Sequence, residues 1–191
     1  MDRGFAKVCG VDEVGRGPMA GPVTAAAVIL DPLNIPAGLN DSKKLSLRQR
    51  EQAFDAIMAT ALVAVTSLSA TTIDRLNIRA ASLSAMAHCV ASLEVSPDHA
   101  LIDGNAIPDT LPCPAACLVK GDSRSLSIAA ASIVAKVMRD RMIERADLLH
   151  PGYGLAQHKG YPTVHHKAAL VVQGPCRLHR RSFKPVRDAL G

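Results

Sequence analysis

The segment Val11-Asp12-Glu13-Val14-Gly15-Arg16-Gly17 constrains this chain more than any other. An apolar run, Phe5 to Val11, ends on two adjacent carboxylates and then a glycine-rich turn. Consecutive side chains on a strand point to opposite faces. For both acids to serve one site, the chain must bend there, or one must act through its backbone carbonyl. Gly15 and Gly17 supply a bend and let backbone amides approach a ligand closely. Asp103 closes another short apolar run, Ala100-Leu-Ile, and Asp122 follows Ala115 to Val119. Either could be a turn residue, and Asp122 could also cap the helix expected from Ser123. Carboxylates at strand ends converge on one edge of an α/β sheet, where ligands bind.

The remaining punctuation supports that class. Val23 to Leu30 reads as a strand antiparallel to the first, with Gly15, Gly17, Pro18, Gly21 and Pro22 between them. Ser46 caps a helix over Leu47 to Thr60, and Leu62 to Leu68 is a third strand. Thr71 or Thr72 starts a short helix, and an Ala-rich one runs from Ile78 to Leu93. After the strands ending at Asp103 and Val119, a long helix spans Ser123 to Leu149, with Leu126, Ile133, Val137, Met138 and Met142 on its apolar face. Pro151 ends it. The basic tail holds one more helix near Val164 to Val172. Strands first, then alternating strands and helices, give a mixed sheet with helices on both faces.

A chain of 191 residues forms one domain. Its formal charge is +5 and its pI about 9.1. A carboxylate site in a basic protein fits an anionic substrate brought to cations. The five cysteines (Cys9, Cys89, Cys113, Cys117, Cys176) lack a zinc spacing and read as free thiols in a reducing compartment. No signal peptide is evident after Met1-Asp2-Arg3-Gly4, and no apolar stretch is long enough to cross a membrane. A cytoplasmic location is expected, with no membrane association.

Four clustered carboxylates without cationic partners repel one another unless divalent cations neutralise them. That favours a pair of Mg²⁺ or Mn²⁺ ions, which stabilise the attacking and leaving oxygens of a phosphodiester displacement.

Longer blocks carry a resemblance. Asp12-Glu13-Val-Gly-Arg-Gly-Pro-Met-Ala-Gly-Pro-Val, Asp41-Ser-Lys-Lys-Leu-Ser, Leu101-Ile-Asp-Gly-Asn, Lys120-Gly-Asp-Ser, Ala131-Ser-Ile-Val-Ala-Lys-Val-Met-Arg-Asp, His158-Lys-Gly-Tyr-Pro-Thr and Gly174-Pro-Cys-Arg-Leu-His-Arg-Arg-Ser-Phe stand in order. Together they resemble bacterial ribonuclease HII, the type 2 ribonuclease H, from about residue 8 to 186. The resemblance implies a ribonuclease H-like α/β fold, a mixed five-stranded sheet flanked by helices. Residues 1–150 would be the catalytic unit and 151–191 a small helical extension of the same domain, contributing to recognition. It implies hydrolysis of the RNA strand of RNA–DNA hybrids and incision 5′ of single ribonucleotides in duplex DNA, leaving 3′-hydroxyl and 5′-phosphate ends.

By the same motifs, Asp12, Glu13, Asp103 and Asp122 are the catalytic and metal-binding carboxylates. Gly15, Arg16 and Gly17 match the segment that cradles the backbone at the ribonucleotide. Tyr161 matches the tyrosine that recognises the 2′-hydroxyl, whereas Tyr153 reads as packing. A 2′-hydroxyl both donates and accepts a hydrogen bond, and tyrosine offers a flat face with a polar tip. Lys43 and Lys44 are phosphate contacts or solvated lysines, and Lys136 and Arg139 carry the same two readings. Ser123 and Ser132 are candidates for backbone contacts. His158 would lie near the duplex; His165 packs or assists proton transfer to the leaving oxygen. Leu155 departs from the family, standing where an aromatic residue is frequent. No obvious clamp-docking peptide follows Arg187, which speaks against sliding-clamp docking. Separately, a monomer is expected.

Overall fold

The structure is a computed structural model that describes residue 4 and residues 6–190. Phe5, the expected start of the first strand, lies outside the described residues. Five strands form one sheet: β1 (Val8–Val14), β2 (Val23–Ile29), β3 (Leu62–Leu68), β4 (His99–Asp103) and β5 (Ala115–Leu118). Their order is β3-β2-β1-β4-β5, antiparallel from β3 to β1 and parallel from β1 to β5. This is the mixed sheet expected. β1 runs three residues further than the sequence reading, so both acids sit inside the strand rather than beyond it.

Seven helices complete the described chain: α1 (Leu47–Thr60), α2 (Ala70–Leu76), α3 (Ile78–Ala91), α4 (Leu126–Leu149), α5 (Leu155–His158), α6 (Val164–Gln173) and α7 (Lys184–Asp188). Ser46 and Gln49 form a reciprocal capping box at the start of α1. Two cap expectations need correction. Ser69, not Thr71 or Thr72, caps α2. Asp122 does not cap α4; it lies in a 3₁₀ turn, Gly121–Ser123, and Ser125 supplies the cap. That turn releases Asp122 for another role.

One face of the sheet packs Cys9, Val11, Ala25, Ala27, Ala100 and Ile102 against Ala85, Met86, Cys89 and Val90 of α3. On the other, Ala26 and Val28 meet Phe54 and Ile57 of α1 and Ile133, Val134 and Val137 of α4. Leu126, expected on the apolar face of α4, is instead half exposed at its start. The abundance of Ala follows from how closely α4 lies on β1. A Cβ added at Gly10 would stand 2.1 Å from the Ser127 carbonyl carbon and 2.2 Å from the Ile128 nitrogen. Backbone meets backbone there, so a side chain has nowhere to go.

Beyond α4, the chain folds back onto the β1–β2 connection. Tyr153 and Leu155 pack with Ala20 and Ile143, and Leu170 and Val186 with Met19. Leu155 is fully buried in this contact, so its departure from an aromatic is absorbed by packing.

Gly10→Ala should therefore lower the unfolding free energy by about 3 kcal/mol through overpacking, measured by urea denaturation. A loss below about 1 kcal/mol would mean that α4 lifts off the strand cheaply.

Candidate active site

Asp12 and Asp103 each stand one residue past the last paired positions of β1 and β4, Val11 and Ile102, at the same end of parallel neighbours. Both follow residues that pack against α3, so both side chains lie on the α4 side. Glu13, next along β1, projects from the opposite face and pairs with Arg16 at 3.2 Å. All three nonetheless line one cleft of about 370 Å³, with Gly15, Arg16, Gly17, Ser42, Lys43, Ser132, Lys136 and Tyr161. No sharp bend is needed, because at the strand end both faces open onto the same depression. A second depression of equal volume, between α6 and α7, is lined by Leu170, Val171 and Pro185 and holds none of these groups.

Asp122 does not line that cleft. It stands beside it, tied to the site through Asp103, whose Oδ1 accepts the Gly121 amide at 2.7 Å. Burial pushes the Asp122 carboxyl above its ordinary range, with Asp41 and Asp103 adding to the rise and Lys43 opposing it. Asp41 is thus a fifth acid at the site that motif reasoning passed over.

Asp12 is the most strained electrostatically. It is almost wholly buried, and its Oδ1 accepts the Glu13 amide at 2.7 Å. Burial drives its carboxyl well above the ordinary range, and the charges of Glu13 and Asp103 push the same way. Burial also raises Glu13, partly offset by Arg16. Among the described residues neither Asp12, Asp103 nor Asp122 forms an ion pair. Such a set fits a hard divalent cation, which neutralises the repulsion. Among the described residues, no three such side chains already enclose an ion by themselves.

The cradle Gly15-Arg16-Gly17 is held from behind by two fully buried arginines. Arg180 donates to the carbonyls of Gly15 (2.5 Å), Arg16 (3.0 Å) and Gly21 (3.0 Å). Arg139 donates to those of Pro22, Lys159 and Ala20. Both guanidinium groups are pulled below their ordinary range by burial, Arg180 to about 9 with help from Arg139. This corrects the expectation for Arg139: at zero exposure it reaches neither phosphate nor solvent. Tyr161 faces the cradle. A Cβ on Gly17 would meet its ring at 3.4 Å, so glycine leaves the room between them.

The other candidates separate cleanly. Lys43 and Lys136 line the cleft, Lys136 paired to Asp140, while Lys44 is exposed and does not. Ser132 bonds Ser42 at 2.7 Å, both buried beside Asp12; Ser123 is exposed and turns to the Lys120 carbonyl. Tyr153 packs as expected, with its hydroxyl on the Gly174 carbonyl. His165 stays outside the carboxylate cleft, beside Gly154 and His158. His158 turns its ring into the fold, stacked on His166 at 4.2 Å, and both its nitrogens are bonded to backbone.

The sequence model of the ribonuclease HII family matches residues 9–186. The chain belongs to the ribonuclease HII family. It is accordingly an endonuclease of the ribonuclease H type. The ribonuclease HII of Sinorhizobium fredii is 59% identical over 186 residues, covering 97% of this chain and 80% of that protein. The ribonuclease H2 of Pyrococcus horikoshii superposes with a TM-score of 0.84 at 27% identity, covering 96% of each chain. The ribonuclease HII of Archaeoglobus fulgidus, solved in complex with PCNA, gives 0.76 at 27% identity over 93% of this chain and 95% of that one.

The buried histidines make stability pH-dependent with a definite sign. Burial lowers His166 to about 4 and lowers His179 as well. Between about 6.5 and 4 the unfolded chain binds more protons, so stability falls as pH drops through that window. The raised carboxylates Asp12, Glu13 and Asp122 act in the opposite sense. The informative quantity is therefore the difference from His166→Asn. Chemical denaturation at pH 7.5 and 4.5 should show wild type losing on the order of 2 kcal/mol more than this variant.

Proposed function

We propose that the protein hydrolyses the RNA strand of RNA–DNA hybrids and incises on the 5′ side of single ribonucleotides embedded in duplex DNA. The products carry 3′-hydroxyl and 5′-phosphate ends. One observation carries this reading: the carboxylates Asp12, Glu13 and Asp103 share a single cleft with a glycine cradle and an exposed tyrosine. A phosphodiester and the sugar beside it need those two kinds of group at once.

In this reading Asp12, Glu13, Asp103 and Asp122 hold two Mg²⁺ or Mn²⁺ ions. When bound, such ions neutralise phosphate charge and supply an activated water. The chain's own residues do the rest. Gly15 and Gly17 let the backbone lie against the strand, and Lys43 meets a flanking phosphate at the cleft rim. Tyr161 tests the 2′-hydroxyl with its polar tip and stacks its ring on the neighbouring deoxyribose. Residues 151–191 act as a helical extension of the catalytic unit, carrying Tyr161 to the cradle. The partners are RNA–DNA hybrids and ribonucleotide-containing duplexes, taken up by a monomer. Because the Archaeoglobus fulgidus relative was solved with PCNA, a clamp partner is compatible with this fold, and the lack of a recognisable peptide after Arg187 does not decide against one. No helix among the described residues is long and apolar enough to cross a membrane.

Two labelled duplexes, one all DNA and one with a single ribonucleotide, test the reading in Mg²⁺, Mn²⁺ or EDTA. Metal-dependent incision only 5′ of the ribonucleotide is expected; cleavage of the all-DNA duplex would overturn it. Asp12→Asn or Asp122→Asn should cut at least about a thousandfold more slowly, as expected when several kcal/mol of charge stabilisation is lost, while still binding the duplex. Turnover at the wild-type rate by Asp12→Asn would remove the carboxylates from the mechanism. Mn²⁺ should raise the melting temperature of wild type and not of Asp12→Asn, since an ion bound only by the folded state stabilises it. Tyr161→Ala should lose junction preference more than affinity.

A further inference from the structure

Three histidines behind Tyr161 form an array that the mechanism above leaves unused. Their hydrogen bonds fix every proton. The Cys176 amide donates to His179 Nδ1 at 3.1 Å, so that nitrogen is bare and the proton sits on Nε2. His179 Nε2 faces His166 Nε2 at 3.1 Å, so it donates and the His166 nitrogen accepts. His166 Nδ1 then carries the remaining proton and gives it to the Tyr161 carbonyl at 2.9 Å. His158 closes the array from the side. It accepts the Gly160 amide on Nδ1, donates from Nε2 to the Tyr153 carbonyl, and stacks on His166 within 17° of parallel. His166 and His179 are buried, and the lowered values of both keep the array neutral.

The line ends on the backbone of a residue that is 44% exposed and whose own amide donates to the His158 carbonyl at 2.9 Å. Its neighbour Gly160 is already fixed, because its carbonyl accepts the amides of Met19 and Ala20 in the cradle loop. What remains free is the peptide after Tyr161, and there His166 and the Thr163 amide converge on one carbonyl. We propose that His166 and His179 are positioning residues. Through the directed line Cys176–His179–His166 they hold Tyr161 against Gly17 and so set discrimination at the ribose–deoxyribose junction. This rests on the reading of Tyr161 given above.

The direction of the line makes the test specific. Asparagine places an amide N–H where histidine has Nδ1, and glutamine places one where it has Nε2. At position 166 the donor that matters is Nδ1, so His166→Asn should keep function and His166→Gln should lose it. At position 179 it is Nε2, so the order reverses: His179→Gln keeps and His179→Asn loses. The readout is the ratio of incision rates on a single-ribonucleotide duplex and a continuous RNA–DNA hybrid. The losing variants should fall about tenfold in that ratio, the scale of one lost hydrogen bond, and the keeping ones stay within about twofold. In a Tyr161→Ala background the losing variants should add nothing. An equal loss at each position whichever amide is used, or additive losses with Tyr161→Ala, would overturn the proposal and leave a packing role.

A second measurement does not depend on cleavage. The chain has no tryptophan and two tyrosines, so Tyr153→Phe leaves Tyr161 as the sole tyrosine emitter. Its fluorescence anisotropy should fall in His166→Gln and His179→Asn and hold in their counterparts. Unchanged anisotropy in all four would overturn the positioning role even in an active enzyme. If wild type fails to incise but the anisotropy follows the reciprocal pattern, the functional reading of Tyr161 is wrong and the positioning line stands.

Discussion

Among the described residues no carboxylate forms an ion pair with the buried Arg139 or Arg180, which are solvated instead by six backbone carbonyls drawn from Gly15 to Pro22 and from Lys159. Removing a guanidinium from water costs several kcal/mol, which only near-ideal geometry offsets. Arginine suits this because its planar fork presents five donors and is weakly hydrated. The consequence is mechanical. A stretch with Gly15 and Gly21 at positive φ has little conformation of its own, yet here its carbonyls are pinned one after another. A Cβ at Gly15 would stand 2.3 Å from Arg139 Nε, so the glycine and the arginine require each other. The consequence is also electrostatic. Carbonyl dipoles solvate a cation without cancelling its charge, so two positive charges stay behind the surface offered to an anionic backbone.

A second constraint sets where the carboxylates stand. The contact of α4 with β1 at Gly10 is too close for any side chain, and it fixes the helix bearing Ser132, Lys136 and Arg139 against the strand bearing Asp12. One helix therefore supplies the floor of the cleft, a rim cation and the cradle's clamp. The parallel pairing of β1 with β4 then sets Asp103 level with Asp12 without any loop to place it.

Much of this was legible in the chain. Elements with strong punctuation, such as the α1 cap at Ser46, fell where turn and cap chemistry put them. The strand-end acids Asp12, Glu13 and Asp103 met as expected, since period and strand order act locally. What escaped was long-range. Arg139 and Arg180 look like solvated cations in a basic chain, and nothing nearby in sequence says that five of their six carbonyl partners lie more than a hundred residues away. Asp41 looked like part of a lysine loop because its neighbour Asp122 is remote in sequence. His158 and His165 read as a group near the duplex and a packing or proton-transfer residue, because the tautomers that make the buried histidines a directed line depend on amides and carbonyls that sequence does not show.

The pairing of Glu13 with Arg16 joins these parts. At the surface such a pair adds little stability, well under about 1 kcal/mol for exposed partners. Its effect is on position. Arg180 holds the Arg16 carbonyl, and the Arg16 side chain holds Glu13. Any strand that settles into the cradle and shifts Arg16 therefore shifts a carboxylate beside Asp12 and Asp103. In a site assembled this way, the cradle segment and the carboxylate beside Asp12 and Asp103 are held by one residue, Arg16, through its backbone and its side chain.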